Sequence, residues 1–335
     1  MTTELIKKTI EYAKEEPKKT WTHFLETILV LTLFIAGTLP YFPIWMRVIS
    51  SFFAGFTLVR VFIFYHDTLH GAIFRKSKLG KSIMDFVGIL ILNPPQVWKR
   101  SHNYHHQHNA QIATASIGSF PVLTVEQYQQ ATPLKRFYYL LSRSGFVMFF
   151  GYFFIFMIGM CLKSFLTDPK RHSDSLIALV FHFSIIALLV YFFNWNIAIL
   201  SFIFPIFVAS AFGAYLFYLQ HNFPDVKLKP RTEWDYVFAA LYSSSMMEGN
   251  SVIHWFTGNI GYHHVHHLNS TIPFYKLPIV MKAIPELQTP GRTSLSIRDM
   301  FKNLSLKLWD PAQNQMVPLT SSSLKKLEFS DNFSK

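Results

Sequence analysis

Apolar residues in this chain gather in long uninterrupted blocks. Residues 25–42, 48–65, 145–162, 176–193 and 197–219 are rich in Phe, Leu and Ile and carry almost no charge. A bilayer core about 30 Å thick needs roughly 18–20 such residues in a helix. The blocks therefore predict helices that cross or enter a membrane. A soluble core this apolar would need helices with hardly any polar face. The 83–93 block, which ends before Pro94-Pro95, is too short to span and predicts an interfacial helix. Residues 1–23 mix five Lys with four Glu. No small-residue cleavage site follows, so they read as a cytoplasmic arm and not as a secretory signal. Leu5 to Trp21 suits an amphipathic interfacial helix and a solvated extension equally.

Loop charge sets the orientation. The turn from Thr38 to Pro43 holds no Lys or Arg, and Pro40 and Pro43 suit a break between helices. Residues 67–136 hold Arg75, Lys76, Lys78, Lys81, Lys99, Arg100, Lys135 and Arg136. By the positive-inside rule this loop and the N-terminal arm are cytoplasmic. Arg47 is an exception at the outer end, and Arg60 is expected to snorkel toward the inner one. Full spans at all three later blocks would put everything past residue 220 outside, with its twelve Lys and Arg. Parity therefore predicts four spans in two hairpins, about 25–42 with 48–65 and 176–193 with 197–219. The second hairpin turns at the uncharged Asn194-Trp195-Asn196 link. Residues 145–162 become a re-entrant or interfacial helix pair near Gly151 and Gly159. The expected fold is all-α and integral to the membrane, with a cytoplasmic helical cap. Its divisions are the arm 1–23, a membrane domain 24–312 and a polar tail 313–335.

Composition agrees. Half of the residues are apolar, 17% are aromatic and 15% are charged, against about 25% charged in soluble domains. The net charge of +12 follows from the basic loops and does not call for a nucleic-acid partner. The single cysteine, Cys161, lies in an apolar block, which excludes a disulfide framework and a cysteine-built metal site.

Histidine carries the chemistry. Of fifteen in the chain, ten fall into three groups. His66 and His70 sit in HDTLH. His102, His105 and His106 sit in HNYHH, with His108 just beyond. His263, His266 and His267 sit in HHVHH, with His264 inside. Helical positions i and i+3 or i+4 share a face, so each group can aim two or three imidazoles at one point. All three lie at the predicted cytoplasmic edge, where ionisable residues beside spans are by default functional. One such pair alone would read as a hydrogen-bonded cluster; three together read as a joint metal site. Imidazole suits iron, copper, zinc and nickel, so ligand type does not name the metal. His221, in YLQHNF, is a further possible ligand. His254 and His264 are open between ligand and structural roles, and His23, His172 and His182 read as structural.

HDTLHG, WKRSHNYHH and GNIGYHHVHHLNSTIPFYKLP resemble, in order and spacing, the three histidine boxes of membrane fatty-acid desaturases. LKLWDP resembles the end of bacterial members. The resemblance covers about residues 30 to 312. The HxxxH first box is similar to that of acyl-lipid delta-12 and omega-3 enzymes. The family implies two irons held by His66, His70, His102, His105, His106, His263, His266 and His267, with His221 as the ninth ligand. Asp67 and Asn109 are expected to hydrogen-bond ligand imidazoles, though Asp67 suits a helix-end role equally. The implied reaction uses O2 to remove two hydrogens from an unactivated acyl chain, chemistry that side chains cannot supply. One departure is the stretch after the second box, HNAQIATASIGSFP, where related enzymes often show Thr-Asn and acidic residues. No GxGxxG fingerprint is present. Electrons must then come from a separate ferredoxin or cytochrome b5, suited to the basic cytoplasmic surface. The implied substrate is an acyl lipid or another fatty-acyl carrier. Hydroxylases, ketolases and alkane monooxygenases share this metal logic. A metal transporter would instead carry ionisable residues along its span centres, which here are Phe, Leu and Ile.

Overall fold

The computed structural model describes residues 2–112 and 120–320. Half of the stretch after the second histidine box, residues 113–119, and most of the polar tail lie outside the described residues.

Helix α1 (Thr2–Thr9) leads through a short 3₁₀ turn into α2 (Pro17–Ala36), which has proline in its first turn, where no amide partner is needed. The expected boundary at residue 23 thus falls inside a helix. The arm is not a free extension. Lys8 pairs with Glu286 at 2.5 Å, Lys276 pairs with Glu16 at 3.0 Å, and Asn269 donates to Thr9 Oγ1 at 2.9 Å. The turn holding Pro40 and Pro43 reverses the chain into α3 (Ile44–Leu69), and Arg47 Nε donates to the Thr38 carbonyl across it at 2.8 Å. Next come α4 (Lys78–Leu90) and α5 (Pro95–His108), the latter begun by the Pro94-Pro95 pair. Two short helices follow, α6 (Val125–Gln130) and α7 (Pro133–Ser142).

The 145–162 block is two helical pieces that meet at Phe150-Gly151. The first is Gly145–Phe149, which ends at Phe150; the second is Tyr152–Lys163, which is wound as π-helix and runs on through Thr167. Together they are labelled α8 (residues 145–167). Just before it, Arg143 bonds to Tyr218 and Asn222 near the C-terminal end of the last long helix. Tyr152 bonds to His182 at 2.5 Å, and Ser164 accepts from His172 at 2.8 Å. After it, α9 (Ser173–Phe192) and α10 (Trp195–His221) form a tight hairpin. Asn194 makes that turn by capping α10, its side chain accepting from the Ile197 amide at 3.1 Å.

Beyond α10 lie short helices α11 (Tyr236–Tyr242), α12 (Ser251–Phe256), α13 (His263–Leu268), α14 (Leu277–Ala283) and α15 (Ile297–Ser305). The fold is mostly helical but not wholly so. β1 (Met246–Glu248) pairs in parallel with β2 (Arg292–Ser294), and β3 (Leu306–Asp310) pairs antiparallel with β4 (Gln315–Pro318). The LKLWDP segment contributes β3, burying Leu308 and Trp309.

Among the described residues, three helices are long and apolar enough to cross a membrane: α3, α9 and α10. Helix α2 falls short because it ends at Ala36 and its first half holds Lys18, Lys19, His23 and Glu26. Arg60 does not snorkel as expected. It is 3% exposed, with Nε on Thr27 Oγ1 at 2.8 Å and Nη1 on the Trp255 carbonyl at 2.6 Å. Its guanidinium also lies over the Trp255 ring, 4.5 Å from the centroid. An apolar core of Phe24, Phe64, Tyr65, Phe74, Val265 and Phe274 joins α2 and α3 to the segments around α13.

Candidate metal centre

The sequence spacing explains how the histidines meet. His66 and His70 share one face of α3, at i and i+4. On α5 the i, i+4 pair His102 and His106 faces the same point, while His105 faces a second. Helix α13 mirrors this: His263 and His267 face the second point and His266 the first. The last turn of α10 adds His221 to the second. Two groups result, with ligating nitrogens in each within 4.8 Å of one another: His66, His70, His102, His106 and His266 in one, and His105, His221, His263 and His267 in the other. All nine expected residues are thus brought together. The groups touch where the rings of His106 and His267 stack at 4.3 Å.

Distances fit shared cations. In the first group Nε2 of His102 lies 2.9 Å from that of His66 and 3.1 Å from that of His106, which lies 3.1 Å from that of His266. In the second, Nε2 of His221 lies 3.1 Å from that of His105 and 2.9 Å from that of His263, which is 3.0 Å from that of His267. Nitrogens bound at about 2.1 Å to one ion, at right angles, stand roughly 3 Å apart. His70 Nε2 is buried without a protein partner, as a ligand atom would be. Burial, with neighbouring imidazoles adding to it, holds His102, His105, His106, His263, His266 and His267 well below the ordinary histidine range. They are neutral at pH 7, so each offers a lone pair.

Two groups hydrogen-bond clustered histidine rings from behind. Asp67 Oδ1 lies 2.9 Å from His66 Nδ1, and its Oδ2 accepts from the Phe274 amide at 2.7 Å. Both readings of Asp67 meet here, since it sits in the last turn of α3 and also holds an imidazole. The Ser243 carbonyl accepts from His221 Nδ1 at 3.0 Å. Asn109 departs from expectation. It ends α5, donates to Ser244 Oγ at 3.0 Å, and its carbonyl accepts from Trp234 at 2.7 Å, with no imidazole in reach of its amide. His264 turns away to the Leu287 carbonyl at 3.0 Å, and burial lowers it to about 4. His254 sits beside Tyr262, outside both groups. His108 stacks on Tyr104.

Two aromatic residues at the site were not singled out from sequence. Trp98 stacks on His102, centroids 4.8 Å apart. Phe217 packs against His105 at 5.4 Å, His102 at 5.8 Å, and His221 and His263 at 6.5 Å. Each stands four residues before a histidine on the same helix face, which is the signal that could have found them. Both also line a largely apolar cavity of about 470 Å³, with Leu58, Phe62, Ile155 and Ile206. That size lies within the ~300–1,000 Å³ usual for ligand sites.

Three helices long and apolar enough to cross a membrane, with two adjoining histidine groups that could each hold a metal ion, fit the class of membrane proteins with histidine-rich metal sites. Comparison with known proteins makes this particular. The family model for fatty acid desaturases matches residues 43–297, and the chain belongs to that family. It is 29% identical to a fatty acid desaturase of Bacillus subtilis, over 94% of this chain and 90% of that protein. It is 22% identical to the sn-1 oleoyl-lipid 12-desaturase of Synechocystis, over 82% of this chain and 78% of the relative. An omega-6 fatty acid desaturase of Brassica juncea is 37% identical over 82 residues, or 24% of this chain.

Proposed function

We propose that the chain inserts a cis double bond into an already mono-unsaturated acyl chain of a membrane lipid, at the delta-12 (omega-6) position. The observation that carries this reading is the shared wall: Trp98 and Phe217 line the apolar cavity and pack on the histidines. A chain lying in that cavity would pass beside both histidine groups. The oleoyl-lipid substrate named for the Synechocystis relative supports the choice of acyl chain.

The nine histidines would hold two irons, five donors on one and four on the other. When bound, that pair supplies the O2-driven oxidation needed to break unactivated C–H bonds. The protein's part is positional. Asp67 and Ser243 fix two ligand rings, Phe217 and Trp98 hold the chain against the site, and the apolar wall excludes water. Electrons come from a ferredoxin or cytochrome b5 docking on basic cytoplasmic loops. The site then faces the cytoplasm, with α2 completing a four-span arrangement and α8 dipping into the inner leaflet.

Expression in a desaturase-deficient host fed oleate tests the outcome. Gas chromatography with mass spectrometry of total fatty acids should show a diene. A dominant hydroxy acid without diene would instead assign the chain to the hydroxylase branch. The purified protein should carry close to two irons, and His263→Ala should lose iron and activity together. Full activity with zinc alone would overturn the metal assignment.

A further inference from the structure

At one end the apolar cavity has a polar rim that the proposed chemistry does not use. Arg100, Lys163, Thr167 and His172 line it, and among the described residues no Asp or Glu lines the cavity. His172 is buried, at 5% exposure. Its Nδ1–H donates to the Ser164 carbonyl at 2.8 Å, which leaves Nε2 to accept from Arg100 Nη2. A buried imidazole therefore holds an exposed guanidinium at the rim. Among the described residues neither Arg100 nor Lys163 pairs with a carboxylate. Of the nearby acids, Asp174 is buried, with Oδ2 accepting from the Gln96 amide at 2.7 Å and Oδ1 without a hydrogen-bond partner, and Asp168 faces Arg171 at 3.9 Å. Leu162 and Leu166 flank Lys163 on α8 and are 42% and 67% exposed. The cations therefore stand beside apolar surface, at the level where a lipid head group meets the chain below it.

We propose that Arg100 and Lys163 bind the phosphate of a phospholipid whose acyl chain occupies the cavity, with His172 holding Arg100 in place. This rests on the reading of the cavity as the acyl site. A guanidinium offers two parallel N–H donors to phosphate oxygens, and an ammonium adds a point charge. The phosphates of an acyl thioester such as oleoyl-CoA offer the same chemistry. The exposed leucines beside Lys163 favour the source that arrives from the bilayer.

Binding to the purified full-length protein in neutral detergent tests this, because it can be read without turnover. The probes are dioleoylphosphatidylglycerol, dioleoylglycerol and oleoyl-CoA, titrated by native mass spectrometry. The phospholipid should bind at least tenfold more tightly than dioleoylglycerol. That preference should shrink in Lys163→Gln and vanish in Arg100→Gln/Lys163→Gln, with dioleoylglycerol affinity unchanged. Lys170→Gln, a charge change outside the cavity lining, should leave all three affinities alone. Since Arg100 is two residues from His102, Lys163→Gln alone suffices if the double variant fails to fold. Equal affinity for phospholipid and dioleoylglycerol, or a preference untouched by Lys163→Gln, overturns the proposal. So does oleoyl-CoA binding more tightly than the phospholipid with the same dependence on Lys163, which would move the phosphate to a soluble thioester. Failure of all three to bind would remove the acyl-site reading itself, a result distinct from equal binding.

Discussion

Asp67 is 1% exposed and joins two segments far apart in sequence, His66 on α3 and the Phe274 amide beyond α13. A carboxylate behind a ligand imidazole fixes its tautomer and ring plane, and losing it typically costs about 10–100-fold in metal affinity. Asp67→Asn should therefore release iron to a chelator at correspondingly lower chelator concentration while the helical signal in circular dichroism is unchanged. Phe217 predicts a different outcome, because it touches rings of both groups without ligating. Phe217→Ala opens space between chain and metal site, and a shift of about 1 Å can change a competing rate by about 100-fold. Iron content should stay near the parent level while the hydroxylated share of product rises about tenfold, read by mass spectrometry of released fatty acids. Sequence spacing pointed to three histidine groups sharing one site, because HxxHH leaves few ways to point on a helix, and the family resemblance named the nine residues that the structure gathers. It could not say that each such box is shared between two groups, since that depends on how α5 and α13 face each other. Asn109 was misread for a related reason: adjacency to a ligand along the chain says nothing of which way a helix-ending side chain turns.

At the scale of elements, the apolar blocks marked the long helices well and their ends less well. Charge-free runs locate helix centres, whereas ends depend on caps and tertiary contacts such as Asn194 before α10. The π-wound middle of α8 was not legible, because no simple side-chain pattern separates π from α winding. Helices α3 and α10 pack closely because Gly55 faces Val208: a Cβ built on Gly55 would lie 2.6 Å from Val208 Cβ and 2.9 Å from the Pro205 carbonyl. Small residues permit such approach between membrane helices, and Ser51 adds a hydrogen bond to the Leu200 carbonyl at 2.6 Å. Gly55→Ala should lower the thermal unfolding midpoint, an overpacking cost of about 1–3 kcal/mol. Val208→Ala on that background should recover only part of it, since the Pro205 carbonyl still blocks the new methyl. Full recovery, or no loss in the single variant, would contradict the packing described here.

For the whole molecule the open question is how a chain with three clear spans brings histidines from α3, α5, α10 and α13 to one side. Helices α3 and α10 both end at the histidines, so whatever precedes each must start from the far side or turn there. The Pro40–Pro43 turn and the Asn194 cap mark two reversals at the opposite ends of these helices. An odd number of crossings between α5 and α10 would separate the groups that the fold joins. The proposed four-span arrangement has α8 enter and leave on one side, and its contacts agree with that proposal. Arg143, just before it, bonds to Tyr218 and Asn222 near His221, while Ser164, near its other end, bonds to His172 at the start of α9. Only its middle goes deeper, where Tyr152 meets His182, nine residues along α9 from Ser173. In the proposed four-span arrangement α2, despite its charged first half, carries the apolar stretch that leads from the N-terminal arm to the Pro40–Pro43 turn. Epitope tags inserted at residue 120 and at residue 300 should therefore both be protected from protease in sealed spheroplasts, and both become cleavable once the membrane is permeabilised. Protection of one and cleavage of the other would mean that α8 crosses fully, and the four-span arrangement would fall while the two histidine groups stood.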